Sequence, residues 1–83
     1  GLKQVEEGLR NLGLEFVPSH ANFILVDVGN GHKAFQELQL KGIITRPMPS
    51  ELGHYIRISI GTELENEKAL SALHEILPKI ADL

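Results

Sequence analysis

One stretch of the chain, residues 55–61, alternates polar and apolar side chains at the period of a β-strand. Arg57 and two other polar residues alternate with three isoleucines, so the isoleucines share one face and Arg57 lies on the other. Gly61 permits a tight turn, and Thr62 followed three residues later by Glu65 fits a capping box. The pattern predicts a strand that ends here and a helix that begins directly after it.

Apolar residues recur at intervals of three and four in three segments, which is typical of helices with one buried face. The spacing predicts helices from the start of the chain to about Leu12, over residues 32–41, and from about Glu63 to the chain end. A glycine directly after each of the first two helices is well placed to end it. Pro78 predicts a kink or a break in the third helix.

Three other short runs predict β-strands. Residues 14–17 alternate until a proline closes the run, and residues 19–21 then form a connection. Residues 22–28 are apolar through the middle, which suits a central strand. Residues 43–46 predict a strand that Pro47 terminates. The order of elements predicts an α/β fold of the α+β two-layer type, a small mixed or antiparallel sheet with helices on one face.

Length and composition fit a single small domain and exclude several functions. The 83 residues carry a net charge of -3 without long runs of like charge, which argues against nucleic acid or a membrane as a partner. The lack of cysteine excludes disulfides and thiolate chemistry, and it is compatible with a cytoplasmic protein. The chain begins without methionine and inside a predicted helix, so we expect a fragment of a larger protein.

The histidines and lysines do not form a recognisable site. No two of the four histidines have the spacing that places metal ligands on one helical face, so the sequence predicts no metal site. A serine-based catalytic triad has no supporting motif around Ser59.

Two arginines are the candidate binding residues. Arg46 ends one predicted strand and Arg57 lies in the next, so their side chains would converge if those strands are neighbours. A guanidinium binds a carboxylate or phosphate through two parallel hydrogen bonds, and two of them suit a doubly charged anion such as a phosphate ester. The alternative is that each arginine pairs with a nearby acid, such as Glu51 for Arg46.

Several motifs in order resemble a known enzyme family. These are GIITRP at residues 42–47, YIRISIGT at residues 55–62 with the helix opening ELENE, and PSHANFILV at residues 18–26. Together they resemble the C-terminal small domain of fold type I pyridoxal-phosphate aminotransferases, and within that family the histidinol-phosphate aminotransferases most. The resemblance covers essentially all of residues 1–83.

The resemblance implies a role for both arginines in binding a small anionic substrate. In that family the small domain closes over pyridoxal phosphate, which a larger domain mainly holds. The arginine that matches Arg57 anchors the acidic end of the substrate, and the one that matches Arg46 assists at the phosphate. The implied reaction is amino-group transfer between histidinol phosphate and 2-oxoglutarate in histidine biosynthesis, by a homodimeric parent enzyme.

The same resemblance implies that this chain alone is inactive. The Schiff-base lysine and the cofactor-binding residues of the family would belong to the missing large domain. None of the chain's lysines stands in a matching motif; they are Lys3, Lys33, Lys41, Lys68 and Lys79. We therefore expect no catalytic or cofactor-binding residue in this chain.

Two alternatives stay open. The first alternative is the small domain of an aromatic or other aminotransferase, or of threonine-phosphate decarboxylase, because an arginine that binds phosphate also binds carboxylate. A free-standing α/β regulatory or interaction module with an anionic effector is the second alternative. A domain separated from its partner should leave leucines such as Leu2 and Leu9 partly uncovered, whereas a free-standing module should not.

Overall fold

A computed structural model describes residues 2–20 and 22–81 of the chain. Gly1 and residues 82–83, at the outer ends of the first and last predicted helices, lie outside the described residues, as does Ala21 in the predicted connection. Within the described ranges the elements are α1 (Leu2–Asn11), β1 (Phe16–His20), β2 (Phe23–Asp27), α2 (Gly31–Leu40), β3 (Arg46–Pro47), a 3-10 turn (Ser50–Leu52), β4 (Tyr55–Ser59) and α3 (Glu63–Ala81).

The strands form one antiparallel sheet in the order β1-β2-β4-β3. The helices pack on one face of it, where Ile24 and Ile56 of the central strands join Leu9 and Leu73 in a core with 0% exposure. Burial of these side chains supplies the main favourable term for folding. The predicted two-layer fold is confirmed, with the sheet entirely antiparallel in the described residues.

The second face of the sheet has no helix packed on it in the described residues, and we call it the open face. Alternate residues of β2 and β4 are buried towards the helices, and the residues between them are only half-buried or exposed. The strand pairing places these side chains on the open face: Val17, Phe23, Leu25, Asp27, Arg46, Tyr55, Arg57 and Ser59.

The two edge strands differ from the sequence prediction. β1 runs past Pro18 to His20 instead of ending before it, because an edge strand tolerates the missing amide hydrogen of proline. In the segment 43–46, which the sequence predicts to be a strand, only Arg46 pairs, and Pro47 extends the pairing rather than terminating it. Ile43 is not available to the sheet, because its amide donates to the carbonyl oxygen of Leu38 in the turn that closes α2.

Helix α3 does not break at Pro78, so that part of the prediction is wrong. The helix continues to Ala81, and beyond the proline Ile80 is buried in the core. A proline this close to a helix end removes one backbone hydrogen bond, and the packing of the last turn offsets that loss. None of the helices in the described ranges is long and apolar enough to cross a membrane.

The start of α3 confirms the predicted capping box and makes the stability of the chain depend on pH. The amide of Thr62 donates to Glu65 Oε1 at 2.8 Å, and the amide of Glu65 donates to Thr62 Oγ1 at 3.2 Å. The hydrogen bond from the Thr62 backbone lowers the pKa of Glu65 below its usual 4.5. Ionised Glu65 therefore contributes its full stabilisation above the pKa that it has in the unfolded chain. This stabilisation is lost as the pH falls through the lowered pKa of the folded chain.

We expect Glu65→Gln to reduce the loss of stability on acidification. Glutamine also accepts the capping hydrogen bond but does not titrate. Urea unfolding midpoints, measured from neutral pH to below the lowered pKa, should fall less steeply for this variant than for the unaltered chain. Glu67→Gln, in the same region of the helix, is the matched control and should retain most of the acid dependence. Equal slopes for the Glu65 variant and the unaltered chain would contradict the prediction.

Candidate functional site

The structure brings the two sequence-predicted arginines together on the open face. Arg46 of β3 is the direct antiparallel partner of Arg57 of β4, so both side chains leave the sheet on the same side. Directly opposed residues have Cβ atoms about 4.5–5.5 Å apart. β3 and β4 are therefore neighbouring strands, which was the condition for the side chains of Arg46 and Arg57 to converge.

The two arginines are held to different degrees. β4 pairs with β2 on one side and with β3 on the other, and Ile56 and Ile58 on either side of Arg57 are buried in the core. Arg57 is half-buried, while Arg46 is exposed on a two-residue edge strand. The backbone of Arg57 is therefore fixed by the sheet, and Arg46 has more freedom to adjust to a ligand.

The surroundings of Arg57 on the open face are apolar on one side. The row of paired residues across the sheet is Val17, Leu25, Arg57 and Arg46. The guanidinium carbon of Arg57 lies 4.4 Å from the centroid of the Phe23 ring, which is within the range of a cation-π contact. Sequence reasoning did not identify Phe23, because this contact follows from the pairing of β2 with β4.

No acidic side chain neutralises either arginine among the described residues. The ion pairs of the described ranges join Lys33 to Glu37 and Lys41 to Glu75. The alternative in which Glu51 pairs with Arg46 is not found among the described contacts. Two positive charges therefore lie opposite each other without a counter-charge in contact, which is unfavourable unless an anion binds between them.

A buried asparagine that sequence reasoning did not single out holds the end of β4. Asn66 is 2% exposed; its Oδ1 accepts a hydrogen bond from Gly61 N at 2.9 Å, and its Nδ2 donates to Gly61 O at 3.2 Å. Nδ2 also donates to Gln4 Oε1 at 3.0 Å, which links this turn to α1. In the sequence, Asn66 is a polar residue in line with the apolar stripe of α3, and this pattern was the signal that could have identified it.

The lysines lie in the helical layer, away from the arginine pair. Lys3, Lys33, Lys68 and Lys79 are helical residues, and Lys41 caps the end of α2. None of them is on the open face, so the described residues do not fit a site that joins pyridoxal phosphate to a lysine. The described residues also contain no cluster of three potential metal-ligating side chains. The arginine pair is suited in charge to an anion, and none of the lysines in the described residues lies beside it.

One cavity of about 340 Å³ lies at a different place, between the loop after α2 and the start of α3. Its lining includes Ile44, Ser59 and Lys68, and neither arginine contributes to it. Lys68 and Glu65 both line it among largely apolar residues, and their opposite charges do not select an ion of either sign. The arginine pair on the open face is therefore the better candidate site.

Comparison with known proteins places this chain in an enzyme family. The family model for aminotransferase class I and II matches residues 2–73. The chain therefore belongs to the class I and II aminotransferase family.

Similar curated sequences carry one more specific name. The histidinol-phosphate aminotransferase of Akkermansia muciniphila is 44% identical over 78 residues, covering 93% of this chain and 22% of that protein. Histidinol-phosphate aminotransferase 1 of Carboxydothermus hydrogenoformans is 49% identical over 70 residues, covering 83% and 20%. The chain thus spans about a fifth of the length of the curated relatives it matches.

Solved structures share the fold. A putative aminotransferase from Burkholderia pseudomallei superposes with a TM-score of 0.79 at 38% identity, covering 92% of this chain and 24% of that one. Histidinol-phosphate aminotransferase from Sinorhizobium meliloti, solved in complex with pyridoxal-5'-phosphate, gives a TM-score of 0.77 at 25% identity, with 94% and 23% covered.

Proposed function

We propose that this chain is the C-terminal small domain of a histidinol-phosphate aminotransferase, and that its function there is to bind the phosphate end of the substrate. The pairing of Arg46 with Arg57 on the open face carries the proposal. The similarity to histidinol-phosphate aminotransferases over 93% of the chain supports this choice of substrate. The parent enzyme would act in histidine biosynthesis, as a cytoplasmic homodimer.

Two opposed guanidiniums suit a phosphate ester better than a single carboxylate. Each guanidinium presents N–H donors in a planar fork, and a phosphate group has enough oxygens to accept from both. A doubly charged anion also offsets the repulsion between the two arginines, which a singly charged one does only in part. In this proposal Arg57 is the main anchor and Arg46 assists from the edge strand.

Anchoring the phosphate would serve catalysis by orientation. Fixing the remote end of a substrate holds its amine in a defined position, and part of the entropy cost of reaction is then met by binding. Pyridoxal phosphate would supply the electron-withdrawing chemistry of amino transfer in the parent enzyme. The described residues of this chain do not fit that cofactor, so we assign its site and its lysine to the remainder of the parent.

The free-standing module is the weaker alternative. The chain belongs to a family of enzymes and spans about a fifth of the relatives it matches. An anionic effector site would use the same arginine pair, so binding alone does not separate the two functions. The two functions are distinguished in the parent enzyme, where replacing Arg57 should lower the turnover of histidinol phosphate more than the turnover of phenylalanine.

The anion preference of the chain tests the proposal directly. We expect inorganic phosphate, titrated above its second pKa and followed by NMR, to bind more tightly than acetate. Arg46→Gln should reduce the difference between the affinities for phosphate and acetate, because it removes one of the two positive charges of the arginine pair. The same variant should stabilise the anion-free chain by about 0.2–1 kcal/mol, since like charges directly opposite are unfavourable. Equal affinities for phosphate and acetate in the unaltered chain would contradict the proposal.

A further inference from the structure

The contact between Arg57 and Phe23 is the closer of two arginine–phenylalanine contacts in the described residues. The Arg57 guanidinium carbon is 4.4 Å from the Phe23 centroid, and that of Arg10 is 5.3 Å from the Phe16 centroid. Phe23 is the paired neighbour of Ser59, so it lies diagonally beside Arg57 on the open face. Both residues are thus carried by the two central strands, whose backbones the sheet fixes.

We propose that Phe23 is a positioning residue that holds the Arg57 guanidinium in the orientation that binds the anion. The inference rests on the proposed function of Arg57. The ring supports the guanidinium through its π face, whereas the N–H donors of a guanidinium lie in its plane and point outward. Stacking therefore orients the group without occupying the donors that an anion needs.

An acidic residue in the same place would have the opposite effect. A carboxylate would occupy two donors and cancel the charge that attracts the ligand. No described residue forms such an ion pair with Arg57. A guanidinium that is already oriented loses less side-chain freedom when the anion binds, and this raises the affinity. The arrangement on the open face therefore favours a binding role for Arg57 over a purely structural one.

The test compares Phe23→Leu with Phe23→Tyr in the full 83-residue chain. Leucine keeps an apolar side chain but removes the ring, and tyrosine keeps the ring. We expect the Kd for inorganic phosphate to rise about three- to tenfold in the leucine variant and to stay close to the original in the tyrosine variant. Phe16→Leu removes the other arginine–phenylalanine contact by the same substitution and should leave the Kd unchanged.

A second measurement follows Arg57 without any ligand. In the unaltered chain the ring current of Phe23 should displace the NMR resonance of the Arg57 Nε–H group, and Phe23→Leu should abolish that displacement. If the displacement is present in the unaltered chain and lost in the leucine variant, it supports the positioning role of Phe23 even if phosphate does not bind. A failure to bind phosphate would count against the proposed function alone.

Three results would overturn the inference. The first is an undisplaced, freely averaging Arg57 resonance in the unaltered chain, which decides the matter even if the leucine variant fails to fold. The second is a folded leucine variant that lacks the ring-current displacement but binds phosphate as tightly as the unaltered chain. A loss of affinity in the Phe16→Leu control as large as in Phe23→Leu would also contradict it.

Discussion

Replacing Arg57 with glutamine should remove most of the affinity of the chain for phosphate. Hydrogen bonds to a charged group contribute about 1.5–3 kcal/mol, which corresponds to a rise in Kd of about 10- to 150-fold. Lysine at this position should give an intermediate Kd, because it keeps the charge but lacks the planar fork. NMR titration with inorganic phosphate measures all three proteins under one set of conditions.

The effect should be specific to the open face. Arg10 is the matched control, since it is an exposed arginine stacked on a phenylalanine but lies at the end of α1. Arg10→Gln should leave the Kd within experimental error. If Arg10→Gln and Arg57→Gln weakened phosphate binding equally, general attraction between the chain and anions would explain the binding, and the arginine pair would lose its assigned role.

In the parent enzyme the same substitution should act on both kinetic constants. Removing the anchor weakens substrate binding and also lets the reacting amine drift from its position, so KM should rise and kcat should fall. A rise in KM alone would indicate that Arg57 contributes only uniform binding. Phenylalanine, which has no phosphate, serves as the reference substrate, because its turnover should depend less on Arg57 than that of histidinol phosphate.

The junction between β4 and α3 could be predicted from the sequence because local chemistry determines it. The alternation around Arg57 defines the strand face, and the Thr62–Glu65 pair defines where the helix starts. Neither feature depends on a distant part of the chain. The placement of Arg57 on the open face followed from the same local pattern, and Arg46 joined it because β3 and β4 are neighbours.

The features that could not be predicted from the sequence depend on tertiary contacts. The length of β3 is set by the turn that closes α2, where Ile43 is already bonded to Leu38. Leu9 was expected to be partly uncovered, but it is 0% exposed, because α1 packs closely on α3 where Gly8 meets Leu70. The contact of Phe23 with Arg57 needed the register of β2 against β4, which no local pattern contains.

Of the two leucines expected to be partly uncovered, Leu2 is half-buried and only Leu9 is fully buried, and more exposed apolar side chains lie elsewhere. Val17 is 51% exposed on the open face, beside the half-buried Leu25. Ile44 is 86% exposed in the loop after α2. Isolated exposed apolar residues are normal on protein surfaces, but Leu25 is paired directly with Arg57, and Val17 lies on the far side of Leu25 in the same row. An anion bound to the arginines would thus have an apolar wall on one side.

Replacing Gly31 with alanine should destabilise the chain strongly, because the glycine lies directly against the backbone that leads into β4. A Cβ at Gly31 would lie 2.4 Å from the carbonyl oxygen of Tyr55 and 2.8 Å from that of Gly53. Both are backbone atoms, so neither can rotate away, and the amide of Gly31 also donates to Gly53 O at 2.8 Å. Overpacking of this kind costs about 1–3 kcal/mol of unfolding free energy.

Gly8→Ala is the matched control, because its Cβ would also approach another atom to 2.4 Å. That atom is Cδ1 of Leu70, at the end of a flexible side chain, and alanine gains about 0.8–1.0 kcal/mol of helix propensity over glycine. Urea unfolding should therefore show a small change for Gly8→Ala and a large loss for Gly31→Ala. Because Tyr55 begins the strand that carries Arg57, the Gly31→Ala variant should also bind phosphate more weakly. Equal stability of the Gly8→Ala and Gly31→Ala variants would contradict the prediction and show that the contact between Gly31 and β4 is not tight.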